Sequence, residues 1–333
     1  MVARMTEHTP RIAILGAGIS GLTLAQALKD HADVVVYEKA RGVGGRMSTR
    51  YADPFHFDHG TQFFTARTAE FQAFLAPYMA RGTVQQWTGK LIGLEAGATP
   101  WKREWFEPHY VASPNMNSLC KAMAEGVTLA LSTEVAPLGE RTAEGWALHD
   151  ANGQLLGVYD WVISTAPPVQ THRLFSRSDI APQKARLLGC YALMLGFDRP
   201  WQEPWIVAKL RAGPLGWIAV NSTKPGRNAA VTALVAHASN DWSEAHIDAD
   251  VDVAQQQLLQ HFTEATGIAT AEAAYVSTHR WRYALLEEAT RPGYYLDMAS
   301  QCAATGDWAS DSRIEDAWAE AMKLATRLHA LIA

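Results

Sequence analysis

Arg11-Ile12-Ala13-Ile14-Leu15-Gly16-Ala17-Gly18-Ile19-Ser20-Gly21-Leu22, then Val34-Val35-Val36-Tyr37-Glu38-Lys39, then Arg41-Gly42-Val43-Gly44-Gly45-Arg46-Met47: this stretch decides the fold. Ile12 to Leu15 is a short apolar run without alternation, as a parallel strand buried on both faces requires. Gly16 permits the tight turn that follows, Gly18 lets backbone approach a pyrophosphate, and Gly21 lets the helix opening at Ile19 and Ser20 pack closely on the strand. The positive end of that helix points at the phosphates. After the second apolar run, Glu38 stands where its carboxylate accepts hydrogen bonds from both hydroxyls of an adenosine ribose. The same charge repels a 2′-phosphate, which disfavours NADP here and leaves NAD and FAD open. The competing reading is a structural turn in an α/β domain that binds nothing.

Working outward, Lys39 and Arg41 to Met47 form a second glycine-rich loop just past the ribose acid. Gly44 and Gly45 allow backbone amides to face a pyrophosphate or ribityl chain, and Arg46 offers a forked set of donors to phosphate charge. A simple dehydrogenase has no need of such a pair; a solvated loop with two surface arginines is the plainer alternative. This loop resembles the arginine and Gly-Gly element of flavoproteins related to amine oxidases, protoporphyrinogen oxidase and phytoene desaturase. The resemblance implies FAD.

Composition narrows the function classes. The chain has 333 residues, 48% hydrophobic and 19% charged, with formal net charge −5, so it can build two cores and has no global field for nucleic acid or an anionic membrane. Cys120, Cys190 and Cys302 lie far apart without a CxxC pair, giving neither a metal site nor a disulfide framework and suiting a reducing cytoplasm. No run approaches membrane-spanning length, and residues 1–10 read as a flexible leader.

Further along, alternation predicts a strand ending at Asp58, broken by Gly60, in Phe55-His56-Phe57-Asp58-His59-Gly60-Thr61-Gln62-Phe63-Phe64. With Gly44-Gly45-Arg46-Met47-Ser48 before it, this segment resembles the bacterial renalases. By that resemblance Gly60, Thr61, Gln62 and Phe63 lie beside the flavin. The residues alone equally allow His59 to cap a strand and Phe63 and Phe64 to fill a core.

Phe71, Phe74, Leu75 and Tyr78 are spaced for a helix over 68–81. Strand-like runs follow at 85–97 and 101–111, in which Trp87, Trp101, Trp105 and Phe106 suit sheet packing or one wall of an aromatic pocket. A helix from 112 to 126 precedes a strand over 127–138, and the resemblance implies that Val135 lays its backbone on adenine, though an ordinary strand valine fits too. Strands are expected at 146–149, 158–164, 188–197, 217–221 and 230–238, and an amphipathic helix at 251–266. Four features of this part stand out for function: His237 and Trp242 at the end of the strand 230–238, Trp281-Arg282-Tyr283, Gly306-Asp307, and the final helix from Ile314.

The resemblance runs from Ile12 to about Leu328. It implies an α/β protein in the p-hydroxybenzoate hydroxylase or amine oxidase-like architecture. A Rossmann-like FAD-binding domain (1–70, 112–168, 290–333) would be joined to a discontinuous α+β substrate domain (71–111, 169–289), a mixed sheet backed by helices. Asp307 would bond the ribityl or pyrophosphate side, Ile314 would present helix amides to the flavin's dione edge, and FAD would be non-covalent, because no cysteine lies near the 278–284 segment. There is no second GxGxxG and no redox cysteine pair, so a reducing substrate comes directly to the flavin and electrons leave to dioxygen or a small acceptor. The renalase likeness implies that substrate to be an isomeric dihydro-NAD(P), reduced at the 2 or 6 position. Its hydride would go to flavin N5 and the products would be NAD(P)+ and hydrogen peroxide. His237, Gln62, Trp242 and Arg282 would orient the ring and its carboxamide, with Trp281 and Tyr283 stacking. The sequence leaves the isomer, NAD against NADP, and the oligomeric state open. The alternatives are a flavin amine oxidase or desaturase, for which Lys224 is the candidate lysine near N5 or else a hairpin lysine, and a non-catalytic FAD-binding regulator.

Overall fold

The structure, a computed structural model, describes residues 9–175, 185–288, 293–310 and 313–332. The expected leader lies outside these except for its last two residues, as does the expected domain boundary at 289/290. The chain forms two compact units, Met1–Gly45, Met123–Arg186 and Glu288–Ala333 in one, Arg46–Ala122 and Leu187–Glu287 in the other. These differ from the expected domains at 46–70, 112–122 and 169–186. The reason for 46–70 is packing: Phe55 and Phe57 share a core with Ala192, Met194, Ala233 and Val235 of the second unit.

In the first unit a six-stranded sheet runs in the order Tyr294–Asp297, Cys302–Thr305, Trp161–Ser164, Arg11–Leu15, Asp33–Glu38, Thr128–Leu131. All neighbours are parallel except the antiparallel edge strand Tyr294–Asp297. Ile12, Ala13 and Ile14 in the central strand are fully buried, as the unalternated apolar run requires. The helix Ile19–Leu28 follows the first strand, and its Ser20 hydroxyl donates to the Ala317 carbonyl (2.9 Å) of the final helix Ile314–Ile332. The strand expected over 127–138 stops at Leu131, because Ser132 turns the chain with φ 53°.

In the second unit a seven-stranded mixed sheet has the order Tyr275–Glu288, Arg186–Phe197, Thr232–Ala238, Leu215–Val220, Val207–Leu210, Leu91–Leu94, Trp101–Arg103. One face, carrying Leu193, Leu195, Leu234 and Ala236, is covered by Leu258 and Phe262 of the helix Val251–Thr266. Each leucine or phenylalanine there, fully withdrawn from water, stabilises the unit by about 2–3 kcal/mol. The opposite face takes the hairpin Arg50–Ala52 and Phe55–Phe57. The helix expected over 68–81 spans Ala69–Ala80, with the Thr68 hydroxyl accepting from the Phe71 amide. The runs at 85–97 and 101–111 break into short strands, Val84–Gln86, Leu91–Leu94, Trp101–Arg103 and Tyr110–Ala112.

Candidate functional site

Two constellations stand out, one in each unit. In the first, Gly16 adopts φ +112°, and a Cβ on Gly21 would come within 1.9 Å of the Gly16 carbonyl oxygen, so helix and turn approach as closely as backbone allows. Gly18 begins the helix with no side-chain cap, and a Cβ on it would meet nothing within 4 Å. The helix start thus has no side-chain acceptor and has open space beside Gly18, which suits an anion. The second glycine loop lies against the first: the Gly44 amide donates to the Ala17 carbonyl (2.9 Å), and a Cβ on Gly45 would lie 3.6 Å from Gly18 Cα. Glu38 accepts from the Ala17 amide (2.9 Å) and the Ala40 amide (2.8 Å), one on each oxygen. Each oxygen keeps a lone pair for a ribose hydroxyl. Lys39 and Arg41 are exposed beside it, Asp307 is buried, and the final helix begins at Ile314 as expected. Val135 is half-buried and bridges to Asp150.

The second constellation is built around Asp58, fully buried in the second unit. Its Oδ1 accepts from Thr49 Oγ1 (2.7 Å) and the Met116 amide (3.0 Å), and its Oδ2 from Lys224 Nζ (2.9 Å) and Arg227. Burial alone would raise the Asp58 carboxyl, but Lys224 and Arg227 hold it well below the usual carboxylate range. Burial, opposed by Asp58 and reinforced by Arg227, pushes the Lys224 ammonium below the ordinary lysine value. Lys224 lies in the hairpin connection between the antiparallel strands Leu215–Val220 and Thr232–Ala238, and its side chain is fully buried in this ion pair.

Gln62 completes the network. Its amide nitrogen donates to the Asp58 and Gly60 carbonyls, and its oxygen accepts from Asn221 Nδ2 (2.9 Å) and Lys224 (3.4 Å). Both ends are spent on fixing the turn 58–62, so Gln62 holds the loop and has no free end for a ligand. Gly60 is required there, since a Cβ would strike the Arg46 carbonyl oxygen at 2.1 Å, and the Thr61 amide donates to that same oxygen (2.8 Å). Arg46 itself reaches the Ala284 carbonyl (3.2 Å), whereas the Met47 side chain is buried against the Cys120 sulfur.

The turn presents the His59 carbonyl, which receives Trp281 Nε1 (3.0 Å) and faces His237 Nε2 (3.0 Å). The His59 ring stacks on Trp281 at 5.1 Å and meets His279 edge-on at 4.9 Å. Burial pushes His59, His237 and His279 down to about 4, so all three rings are neutral near pH 7. Tyr283 is half-buried and shares the strand face of Trp281 by alternation.

Two expected members are not brought here. Trp242 packs on the opposite sheet face, with Tyr191 (5.6 Å) and His246 (4.2 Å). The strand ends at Ala238, the Ser239 hydroxyl caps the helix Asn240–Ala245, and that helix carries Trp242 away from His237. Arg282 alternates away from Trp281 and pairs with Asp248 (2.8 Å) at the surface. Of the Asp58, Lys224, Arg227 and Asn221 cluster, sequence singled out only Lys224, and for another role; the one signal for the rest was an aspartate in an otherwise aromatic strand end. The aromatic runs also yield a cluster: Phe63 touches Trp105 (5.7 Å), His109 (4.1 Å) and Trp217 (5.8 Å), while Phe64 and Trp87 are core residues and Phe106 is 90% exposed.

Residues 14–77 match the NAD(P)-binding Rossmann-like domain, and residues 91–327 match the flavin-containing amine oxidoreductase family. Among solved structures the chain is similar to a protein put forward as a protoporphyrinogen oxidase from Exiguobacterium sp. 255-15 (TM-score 0.77, 14% identity, covering 97% of this chain and 99% of that one). It is also similar to cyclohexylamine oxidase from Brevibacterium oxydans IH-35A (TM-score 0.73, 13% identity, 98% and 100%) and to wild-type putrescine oxidase bound to putrescine (TM-score 0.69, 14% identity, 97% and 99%). At these identities the likeness speaks to the fold. The first unit's cradle fits the family's cofactor, because the uncapped helix start at Gly18 leaves room where a side chain would stand and Glu38 retains acceptor capacity for a ribose. With a family match over most of its length and a nucleotide cradle to suit, the chain belongs to the flavin-containing amine oxidoreductases and is an FAD-dependent oxidoreductase of Rossmann-like fold.

Proposed function

We propose that the protein is an oxidase of isomeric dihydro-NAD(P), returning the 2- or 6-dihydropyridine forms to NAD(P)+ while dioxygen becomes hydrogen peroxide. The observation that carries this reading is the uncharged character of the His59, His237, His279 and Trp281 cluster, whose histidines are held near pKa 4 by burial. Such rings are weak bases at neutral pH. A dihydropyridine becomes an aromatic pyridinium as hydride leaves, so it needs alignment and no base. An ammonium substrate must first lose a proton, and Asp58 is not placed to take it, its oxygens being filled by four donors.

FAD, when bound, supplies the hydride acceptor and the electron route to dioxygen. In this reading the Gly16 to Gly21 turn, Glu38, Gly45 and Arg46 hold its nucleotide portion, with Asp307 and the helix from Ile314 serving the ribityl and ring. His237, Trp281 and Tyr283 orient the dihydropyridine, and Gln62 positions the loop they bond to. A cytoplasmic setting suits the three unbridged cysteines, and no helix among the described residues is long and apolar enough to cross a membrane.

Incubation in air with each isomer tests the reading by product stoichiometry. Equal amounts of NAD(P)+ and peroxide per substrate consumed are expected. Peroxide from amines but not from dihydropyridines would make the protein an amine oxidase, and FAD that turns over with neither would leave a flavin-binding regulator.

A further inference from the structure

The His59 carbonyl accepts from Trp281 Nε1 and lies 3.0 Å from His237 Nε2. A carbonyl oxygen has no proton to give, so His237 carries its own proton on Nε2. Its ring is neutral, burial holding it near 4, and Nδ1 is therefore a bare lone pair that can only accept. No described residue donates to that atom. The tautomer is not free to exchange, because moving the proton to Nδ1 would set the Nε2 lone pair against the carbonyl oxygen.

The carbonyl is itself immobile. It sits in the turn whose neighbours Asp58 and Gln62 are fixed by Lys224, Arg227 and Asn221. On the sheet, His237 lies in register with Ala192 on one side and Trp217 on the other, so a small side chain and a flat ring flank it. Lys224, the charged group whose field reaches His237, spends its ammonium on Asp58 (2.9 Å) and Gln62 (3.4 Å). Its Nζ also lies 5.3 Å from the Trp87 ring centroid, and with its side chain fully buried it is withheld from a carboxylate arriving from solvent.

We propose that His237 is a specificity-determining residue whose fixed Nδ1 acceptor selects substrates presenting an N–H donor, such as the carboxamide of a nicotinamide ring, and rejects the corresponding carboxylate. The choice of a pyridine substrate rests on the function proposed above; the polarity of the acceptor does not. An acid analogue places oxygen lone pairs against the Nδ1 lone pair, and a polar group left so opposed lowers kcat/KM by about 100-fold.

Two measurements test this. In protein labelled with 15N-histidine, long-range 15N–1H spectra should show His237 protonated on Nε2 and unprotonated on Nδ1. Nicotinamide should move the Nδ1 signal and nicotinate should not; a proton on Nδ1, or an equal response to both, overturns the proposal. Anaerobic flavin reduction should favour 6-dihydro-NAD about 100-fold over its nicotinate counterpart, and His237→Gln, whose amide both donates and accepts, should bring the ratio toward one. A wild-type ratio near one, or one that His237→Gln leaves unchanged, would also overturn it. Reduction by neither compound would sink the function proposed above, and the nicotinamide titration would then decide this proposal alone.

Discussion

The nucleotide cradle of the first unit and the polar network of the second solve the problem of holding a ligand in opposite ways. The cradle is made of backbone: Gly16, Gly18, Gly21 and Gly45 bring amides together, and the Glu38 carboxylate bonds to amides two and twenty-one residues away. The network is made of side chains: Asp58 meets Lys224 and Arg227 across 166 and 169 residues. At Gly21 the cradle has no room for an added carbon, whereas the network tolerates no lost charge.

The largest effect expected follows from that contrast. Asp58→Ala leaves two cations buried without their anion and should lower unfolding free energy by about 3–5 kcal/mol in urea melts. Asp58→Ala combined with Lys224→Met should recover part of it, and a loss under about 1 kcal/mol for the single variant would break the comparison. Next comes Gly21→Ala, whose methyl meets backbone at 1.9 Å and should destabilise by about 1–3 kcal/mol with loss of FAD. Gly18→Ala sharpens the point: its methyl enters open space, so the melt should shift within about 0.5 kcal/mol while FAD affinity falls at least about tenfold by titration.

A smaller effect is set by pH. His59, His237 and His279 fall from the ordinary 6.5 to about 4 on folding. Between those values the unfolded chain binds more protons than the folded one, so their contribution to stability is complete above pH 6.5 and lost as pH falls toward 4. Thermal melts across that window should slope downward with acidification, and His279→Asn should make the slope shallower. The smallest effect is Arg282→Ala, which removes an exposed pair with Asp248; stability should change by under about 1 kcal/mol and kcat/KM should not change.

Sequence made the cradle legible because its parts are local and its glycines have few alternative uses. The strand from Arg11, the turn and the helix from Ile19 can all be read within one window. The network could not be read so. Lys224 precedes Pro225 and Gly226 and looks like a turn lysine until Asp58, far away in the chain, is brought beside it. Trp242 is near His237 in sequence, but the strand ends at Ala238 and the helix capped by Ser239 takes the indole to the other face of the sheet. Arg282 adjoins Trp281, and strand alternation sends the two side chains to opposite faces. In both cases proximity along the chain was a poor guide to shared chemistry.

The claim that hydride comes from a dihydropyridine is tested most directly by stopped-flow mixing of the FAD-loaded protein with 6-dihydro-NAD under nitrogen, with putrescine in a parallel syringe. Flavin bleaching by the dihydropyridine and none by the amine is expected. Bleaching by putrescine alone, or no bleaching by the dihydropyridine at millimolar concentration, would contradict it.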